Sequence, residues 1–131
     1  MLIEVHQSDD MGNVYTLKEP LYYPAQGAKF ADDTPRLVVP VGFESDGASV
    51  PRVFWRLVFP PGDTQALRAA FLHDFIYRTH PEGWDRKKAD DLFYDVLVDD
   101  GIPKWRAWLA WSGVRLGGSA AWNAGGEHAD A

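Results

Sequence analysis

The pattern of apolar residues changes half-way along the chain, and this change limits the possible folds more than any other feature. Residues 1–45 contain short β-rich runs separated by turn residues, whereas apolar residues after position 63 recur with helical spacing between Pro and Gly breaks. The strand candidates are residues 1–6, 14–17, 21–23 and 36–43, with Pro40 favouring an edge or a break. The helix candidates are Ser49 or Val50 to Val58, Asp63 or Thr64 to Arg78, Asp85 to Asp99, and Pro103 to Leu116. The sequence therefore predicts an α+β fold, with N-terminal strands and turns followed by a three- to four-helix half.

The length of the chain fits one domain. Its 131 residues are too few for two comfortable hydrophobic cores, so residues 1–123 are predicted to form a single domain and residues 124–131 a flexible tail. The chain has no cysteine. That absence excludes disulfides, thiolate zinc sites, thiol catalysis and iron–sulfur clusters.

The charge balance limits the partners. Thirteen Lys and Arg against nineteen Asp and Glu give a net charge of -6, which is the wrong sign for gripping phosphates, so we expect no nucleic-acid partner. No apolar run approaches the length of a membrane span, and the first ten residues lack the pattern of a signal peptide. We therefore expect a soluble protein without a transmembrane segment.

One predicted helix places a histidine among apolar residues. A 100° step puts His73 on a stripe of small and apolar side chains, while Asp74 projects about 100° away. The stripe consists of Ala66, Ala69, Ala70, His73, Ile76 and Tyr77. On this helix alone, a core histidine bonded to a backbone carbonyl is the more frequent arrangement.

The next helix offers a partner for this histidine. Asp90 flanks its apolar stripe, so antiparallel packing of the two helices would bring Asp90 to His73. A carboxylate that accepts one imidazole N–H fixes the tautomer and leaves the other nitrogen to act as a general base. An ion pair of Asp90 with Arg68, Arg78 or Arg115 is about equally well supported.

The segment 44–51 has the composition of a turn that could supply oxygen ligands. Asp46 and neighbouring carbonyls could hold a hard cation together with Asp74, and Gly47 permits a positive φ that turns carbonyls towards one point. On the segment alone, a turn in which Asp46 bonds its own backbone is favoured.

The last helix carries Trp105, Trp108 and Trp111 with basic residues. This combination suits a membrane interface or a partner surface. The more frequent alternative is a core stripe containing Trp105, Trp108, Leu109, Ser112 and Leu116. Trp111 lies off the centre of that stripe and is therefore the better candidate for an interface.

Four segments together resemble a family of small, uncharacterised phage and prophage proteins. They are GFESDGASVPR at 42–52, AAFLHDFIY at 69–77, ADDLF at 89–93, and the region 114–122. The resemblance implies a phage origin, and therefore synthesis in the bacterial host cytoplasm, but it supplies no established activity.

AAFLHDFIY also resembles, more distantly, the active-site helix of phospholipase A2. His73, Asp74 and Tyr77 match that pattern, and the bacterial and fungal branch has a similar upstream Ser-Asp-Gly turn and a later Asp before Phe. The resemblance implies His73 as base, Asp90 as its orienting carboxylate and Tyr77 in support. It also implies calcium at Asp74, Asp46 and Gly47. The chain departs from the pattern because alanine and isoleucine replace its cysteines.

Two functions follow as hypotheses. One is a calcium-dependent phospholipase A2-like hydrolase that acts at a phospholipid surface. The other is a non-catalytic structural or accessory phage protein, associated with virion or tail proteins, that keeps the helix pair as a scaffold. An open cleft at His73 beside a cation site favours the first, and a sealed His73 favours the second.

Overall fold

The computed structural model of the protein describes residues 3–8, 12–23, 37–45 and 65–125. It confirms the α+β prediction, since antiparallel strands precede four helices. The predicted helix near residues 49–58 lies outside the described residues, as do Asp46, Gly47 and positions 126–131. The predicted domain boundary at residue 123 stays a prediction.

The strands form two small antiparallel sheets. They are β1 (Ile3–Ser8), β2 (Gly12–Leu17), β3 (Leu21–Tyr23), β4 (Leu37–Val39) and β5 (Glu44–Ser45). One sheet has the order β1-β2-β5, and the other pairs β3 with β4. Of the predicted strand over residues 36–43, the described part forms a strand only at Leu37–Val39, and pairing resumes in the other sheet at Glu44–Ser45. The predicted strand breaks at Pro40, which lacks an N–H, and at Gly42, whose φ of 88° carries the turn.

The helices follow after the described β region. They are α1 (Leu67–Thr79), α2 (Arg86–Asp99), α3 (Lys104–Gly117) and α4 (Ser119–Ala124). The start of α1 lies later than predicted, with Ala66 as an N-cap that makes no side-chain cap. Asp85, the residue at which the sequence predicts this helix to begin, is the N-cap of α2, because its Oδ1 accepts the backbone N–H of Lys88 at 2.7 Å.

The core lies between α1, α2 and the inner face of the β3–β4 sheet. Leu21 and Tyr23 of β3 and Leu37 and Val39 of β4 are buried on this inner face. Leu72 and Ile76 are among the α1 side chains buried in the same cluster. None of the helices within the described ranges is long and apolar enough to cross a membrane.

Helix α3 faces the core with its small residues. The side chains that it buries are those of Ala107, Ala110 and Val114, together with Gly113. The core stripe expected for Trp105, Trp108 and Leu116 is therefore wrong, since all three side chains are exposed. Small residues on the inner face let α3 approach α2 closely and turn its large apolar residues outward.

Candidate functional site

The centre of the site is a buried pair between α1 and α2. His73 Nε2 lies 2.7 Å from Asp90 Oδ1, and neither residue has any exposed surface. An ionised carboxylate can only accept a hydrogen bond, so Nε2 carries the proton and donates the hydrogen bond to Asp90. The predicted contact between the two helices is thus confirmed.

Asp90 has two further partners. The Tyr77 hydroxyl donates to Oδ1 at 2.6 Å, and Arg115 Nη1 on α3 donates to Oδ2 at 2.8 Å. The two alternatives left open for Asp90, the histidine pair and an ion pair, therefore occur together. Arg68 bonds Asp100 through two nitrogens, each at 2.9 Å. The charge partner of Asp90 consequently comes from α3, the third helix of the site.

These contacts shift the pKa values of Asp90 and Tyr77. Burial alone would raise the pKa of Asp90, but its hydrogen bonds and charge interaction with His73, then the hydrogen bonds from Tyr77 and Arg115, outweigh burial and lower it. Burial, followed by the contact with Asp90, raises the pKa of Tyr77. Asp90 is therefore an acceptor and Tyr77 a protonated donor at neutral pH.

Aromatic rings hold the imidazole in place. The His73 ring lies 4.2 Å from that of Tyr77 and 4.7 Å from that of Phe93, measured between centroids and with tilted planes. The ring is thus fixed by packing on two sides as well as by the bond to Asp90. A side chain held in this way can keep one nitrogen in a constant direction.

The predicted metal ligands are only partly within the described chain. Ser45 Oγ donates a short hydrogen bond to Asp74 Oδ2, and both residues are buried. This contact brings Ser45, the residue before Asp46 in the predicted turn, to the carboxylate beside His73. Asp46 and Gly47 lie outside the described residues. Across the described ranges, no three or more His, Asp or Glu side chains form a group that could hold a metal ion.

The sequence matches a family described as "Protein of unknown function (DUF1353)" over residues 16–114. The chain belongs to this family. It is also 33% identical over 72 residues to "Uncharacterized protein y4jT" of Sinorhizobium fredii, a match that covers 53% of the chain and 20% of that relative. A second protein of the same organism, "Uncharacterized protein y4iH", is 32% identical over 71 residues, covering 54% of the chain and 29% of the relative. The chain thus spans less than a third of either relative, and no solved structure matches it.

Sequence reasoning missed the part that α4 plays beside the site of this DUF1353 protein. The Trp122 ring packs edge-on against Tyr77 at 5.3 Å and stacks on His80 at 3.7 Å. A Cβ at Gly118 would lie 2.8 Å from the Tyr77 hydroxyl, and one at Gly125 would lie 1.8 Å from the Tyr77 carbonyl oxygen. The glycine pair at 117–118 is the available signal, but in the sequence alone such a pair indicates only the end of a helix.

A second residue that sequence reasoning missed is Arg86, which contacts the end of α3 that carries Arg115. Arg86 Nη2 donates to the carbonyl oxygens of Val114 and Arg115, at 2.8 and 2.7 Å. These two bonds hold the last turn of α3 against the start of α2, and the guanidinium suits the negative C-terminal end of the α3 dipole. Nothing in the local sequence around Arg86 indicates this contact, because it depends on how α3 is placed.

Trp111, the predicted interface residue, is half-buried. Its Nε1 donates to Asp91 Oδ1 at 3.0 Å, so the side chain is tied to α2. Trp105 and Trp108 are the tryptophans of α3 that extend into solvent. A role for Trp111 at an interface stays a prediction.

Proposed function

We propose that this DUF1353 chain hydrolyses phospholipid esters, with His73 as general base and Asp90 as its orienting carboxylate. The observation that carries the proposal is the 2.7 Å bond between His73 Nε2 and Asp90. With Nε2 donating to Asp90, Nδ1 would take the proton from an attacking water. Because His73 has no exposed surface, the reaction requires a local opening that admits this water. Tyr77 supports the pair by donating to the same carboxylate oxygen.

The reaction follows from these roles. As Nδ1 removes a proton, the water oxygen bonds to the ester carbonyl carbon. The carbon–oxygen bond to the lipid alcohol then breaks, and the imidazolium returns its proton to the departing oxygen. The products are a fatty acid and a lysophospholipid. Asp90, which stays ionised, stabilises the imidazolium between the two proton transfers.

Calcium is a proposed cofactor of this reaction. The carboxylate of Asp74 has the donor chemistry of a hard-cation ligand, and its contact with Ser45 places it next to the chain that leads into Asp46 and Gly47. Asp74 would hold the ion together with oxygens of that turn. Bound calcium would polarise an ester carbonyl. Among the described residues, Asp74 is the carboxylate proposed for this site. The other proposed ligands, at Asp46 and Gly47, lie outside the described residues.

The test is fatty-acid release from mixed phospholipid vesicles, measured with calcium and with a chelator. His73→Gln is the main variant, because its amide can still donate to Asp90 while it cannot act as a base. We expect it to lose at least about a hundredfold in rate. Asp91→Asn is the matched control, since it neutralises the adjacent carboxylate of α2 outside the pair. If the wild type released no more fatty acid than His73→Gln, across several lipid classes and with calcium present, the result would contradict the proposal.

One observation favours a second candidate function. His73 and Asp90 have no exposed surface and Tyr77 has 1%, so the polar group is sealed from solvent. We propose as the alternative a non-catalytic accessory protein of a phage, made in the bacterial host cytoplasm and carried with tail proteins in the virion. In that case the pair is a satisfied polar contact only. Mass spectrometry of purified virions tests it, and absence of the protein from virions contradicts it.

A further inference from the structure

Helix α3 exposes its largest apolar side chains. Trp105 is 63%, Trp108 56% and Leu116 82% exposed, whereas the buried side chains of the helix are small. A helix that serves only to fill a core would have the opposite arrangement, with its large residues inside. The outward face is therefore suited to a contact with something outside this chain.

These side chains share one face. At about 100° per residue, positions 105, 108, 112 and 116 fall within roughly 80° of arc, and they extend over about 16 Å of helix. We call Trp105, Trp108, Ser112 and Leu116 the outer face of α3. Trp111 does not belong to it, because its ring nitrogen is bonded to Asp91 on α2.

The charge of α3 differs from that of the rest of the chain. The segment 104–117 contains Lys104, Arg106 and Arg115 and no acidic residue, although the chain as a whole carries -6. Arg115 bonds Asp90, and Lys104 is exposed at the start of the helix. Two copies that paired through α3 would each bring Lys104 to a contact in which α3 supplies no acidic residue, so a second copy fits poorly. An anionic surface fits well.

The residue types point to a lipid surface. Tryptophan has an apolar ring with one polar N–H and is favoured where hydrocarbon meets water, and basic residues beside it attract anionic headgroups. We propose that the outer face of α3 docks on an anionic phospholipid surface, with Trp105 and Trp108 inserted at the headgroup level and Lys104 beside them. The choice of a phospholipid rests on the proposed function, and the docking gives that function its interface.

The experiment is flotation with vesicles of ether-linked phosphatidylcholine and phosphatidylglycerol in equal parts. Ether lipids have no fatty-acyl ester to cleave, so binding is measured separately from hydrolysis. We expect Trp105→Ala and Trp108→Ala each to weaken vesicle binding about tenfold, through loss of buried apolar surface. Lys104→Glu should also weaken vesicle binding, and the loss should be larger at low salt than at high salt. Tyr22→Ala, an exposed aromatic on β3, is the matched control and should bind like the wild type.

Three results would overturn this assignment. The first is a wild-type protein that fails to float with these vesicles. The second is a folded Trp105→Ala, Trp108→Ala double variant that floats as well as the wild type, with folding verified by near-ultraviolet circular dichroism. The third is a wild-type dimer without lipid that Trp108→Ala dissociates in sedimentation equilibrium, which would assign the outer face to a second copy.

Discussion

Replacing Asp90 by Asn tests how much one buried carboxylate contributes to this fold. Its two oxygens accept from three side chains at 2.6 to 2.8 Å, and none of its surface is exposed. Asparagine is nearly the same shape but has a single acceptor oxygen. Its amide N–H groups would therefore face other donors, and the charge of Arg115 would lose its partner.

The expected cost can be worked from these contacts. Removing one member of a buried ion pair costs about 3–5 kcal/mol. The Arg115 side chain is 30% exposed, so water recovers part of its solvation and the lower end applies. We expect the free energy of unfolding to fall by about 3 kcal/mol, which is a large share of the roughly 5–15 kcal/mol of a typical domain.

The pH dependence provides a second check on Asp90. The pKa of its carboxyl is lowered from an ordinary value of 3.8. A lowered folded-state pKa means that the stabilisation is present above the ordinary pKa and is lost as pH falls through the folded value. The difference between wild type and Asp90→Asn should therefore be full at neutral pH and shrink in strong acid.

The assay is urea unfolding of Asp90→Asn beside Asp91→Asn. Asp91 pairs with Lys87 on the surface and can keep its bond to Trp111 as an amide, so its cost should stay below about 1 kcal/mol. Equal costs for the two variants at neutral pH would refute the reasoning. So would a difference that grows as the pH falls.

Three further variants test other parts of the structure. Gly125→Ala would place a Cβ against the Tyr77 carbonyl oxygen, so thermal melts should show a loss of about 1–3 kcal/mol. The pKa of Asp95 is raised by burial and then by two neighbouring carboxylates. Its charge is therefore unfavourable at neutral pH, and Asp95→Asn should raise stability there by about 0.5 kcal/mol but not in acid. Calcium should raise the melting temperature of the wild type and not of Asp74→Asn, and an equal rise in both would exclude Asp74 as a ligand.

The pairing of His73 with Asp90 could be predicted because it depends on local periodicity. Both residues flank apolar stripes, and two adjacent helices with such stripes pack against each other. The choice of Arg115 over Arg68 as the ion-pair partner could not be predicted, because it depends on where the third helix lies. Periodicity places these side chains around each helix but does not place the helices.

The orientation of α3 shows a different limit. The helix has two apolar faces, one of small residues around Ala110 and one of large residues around Trp108. Because tryptophan and leucine are more hydrophobic than alanine and glycine, the sequence pattern favours burial of the tryptophan face. Close approach of the helices instead selected the alanine face, and this selection depends on the shape of α2 opposite it.

The role of the buried polar group can be separated from its contribution to stability. Replacing His73 and Asp90 by Leu and Tyr77 by Phe would remove the three sealed polar groups together, and the half-buried Arg115 could extend into water. Apolar replacement of a complete buried network is often neutral, unlike removal of one member. We therefore expect the triple variant to unfold in urea within about 1 kcal/mol of the wild type. A loss as large as that of Asp90→Asn would mean that the network holds the fold together. A stable triple variant would show that the fold does not need the buried polar group, so a loss of lipid hydrolysis on replacing His73 could be assigned to chemistry and not to unfolding.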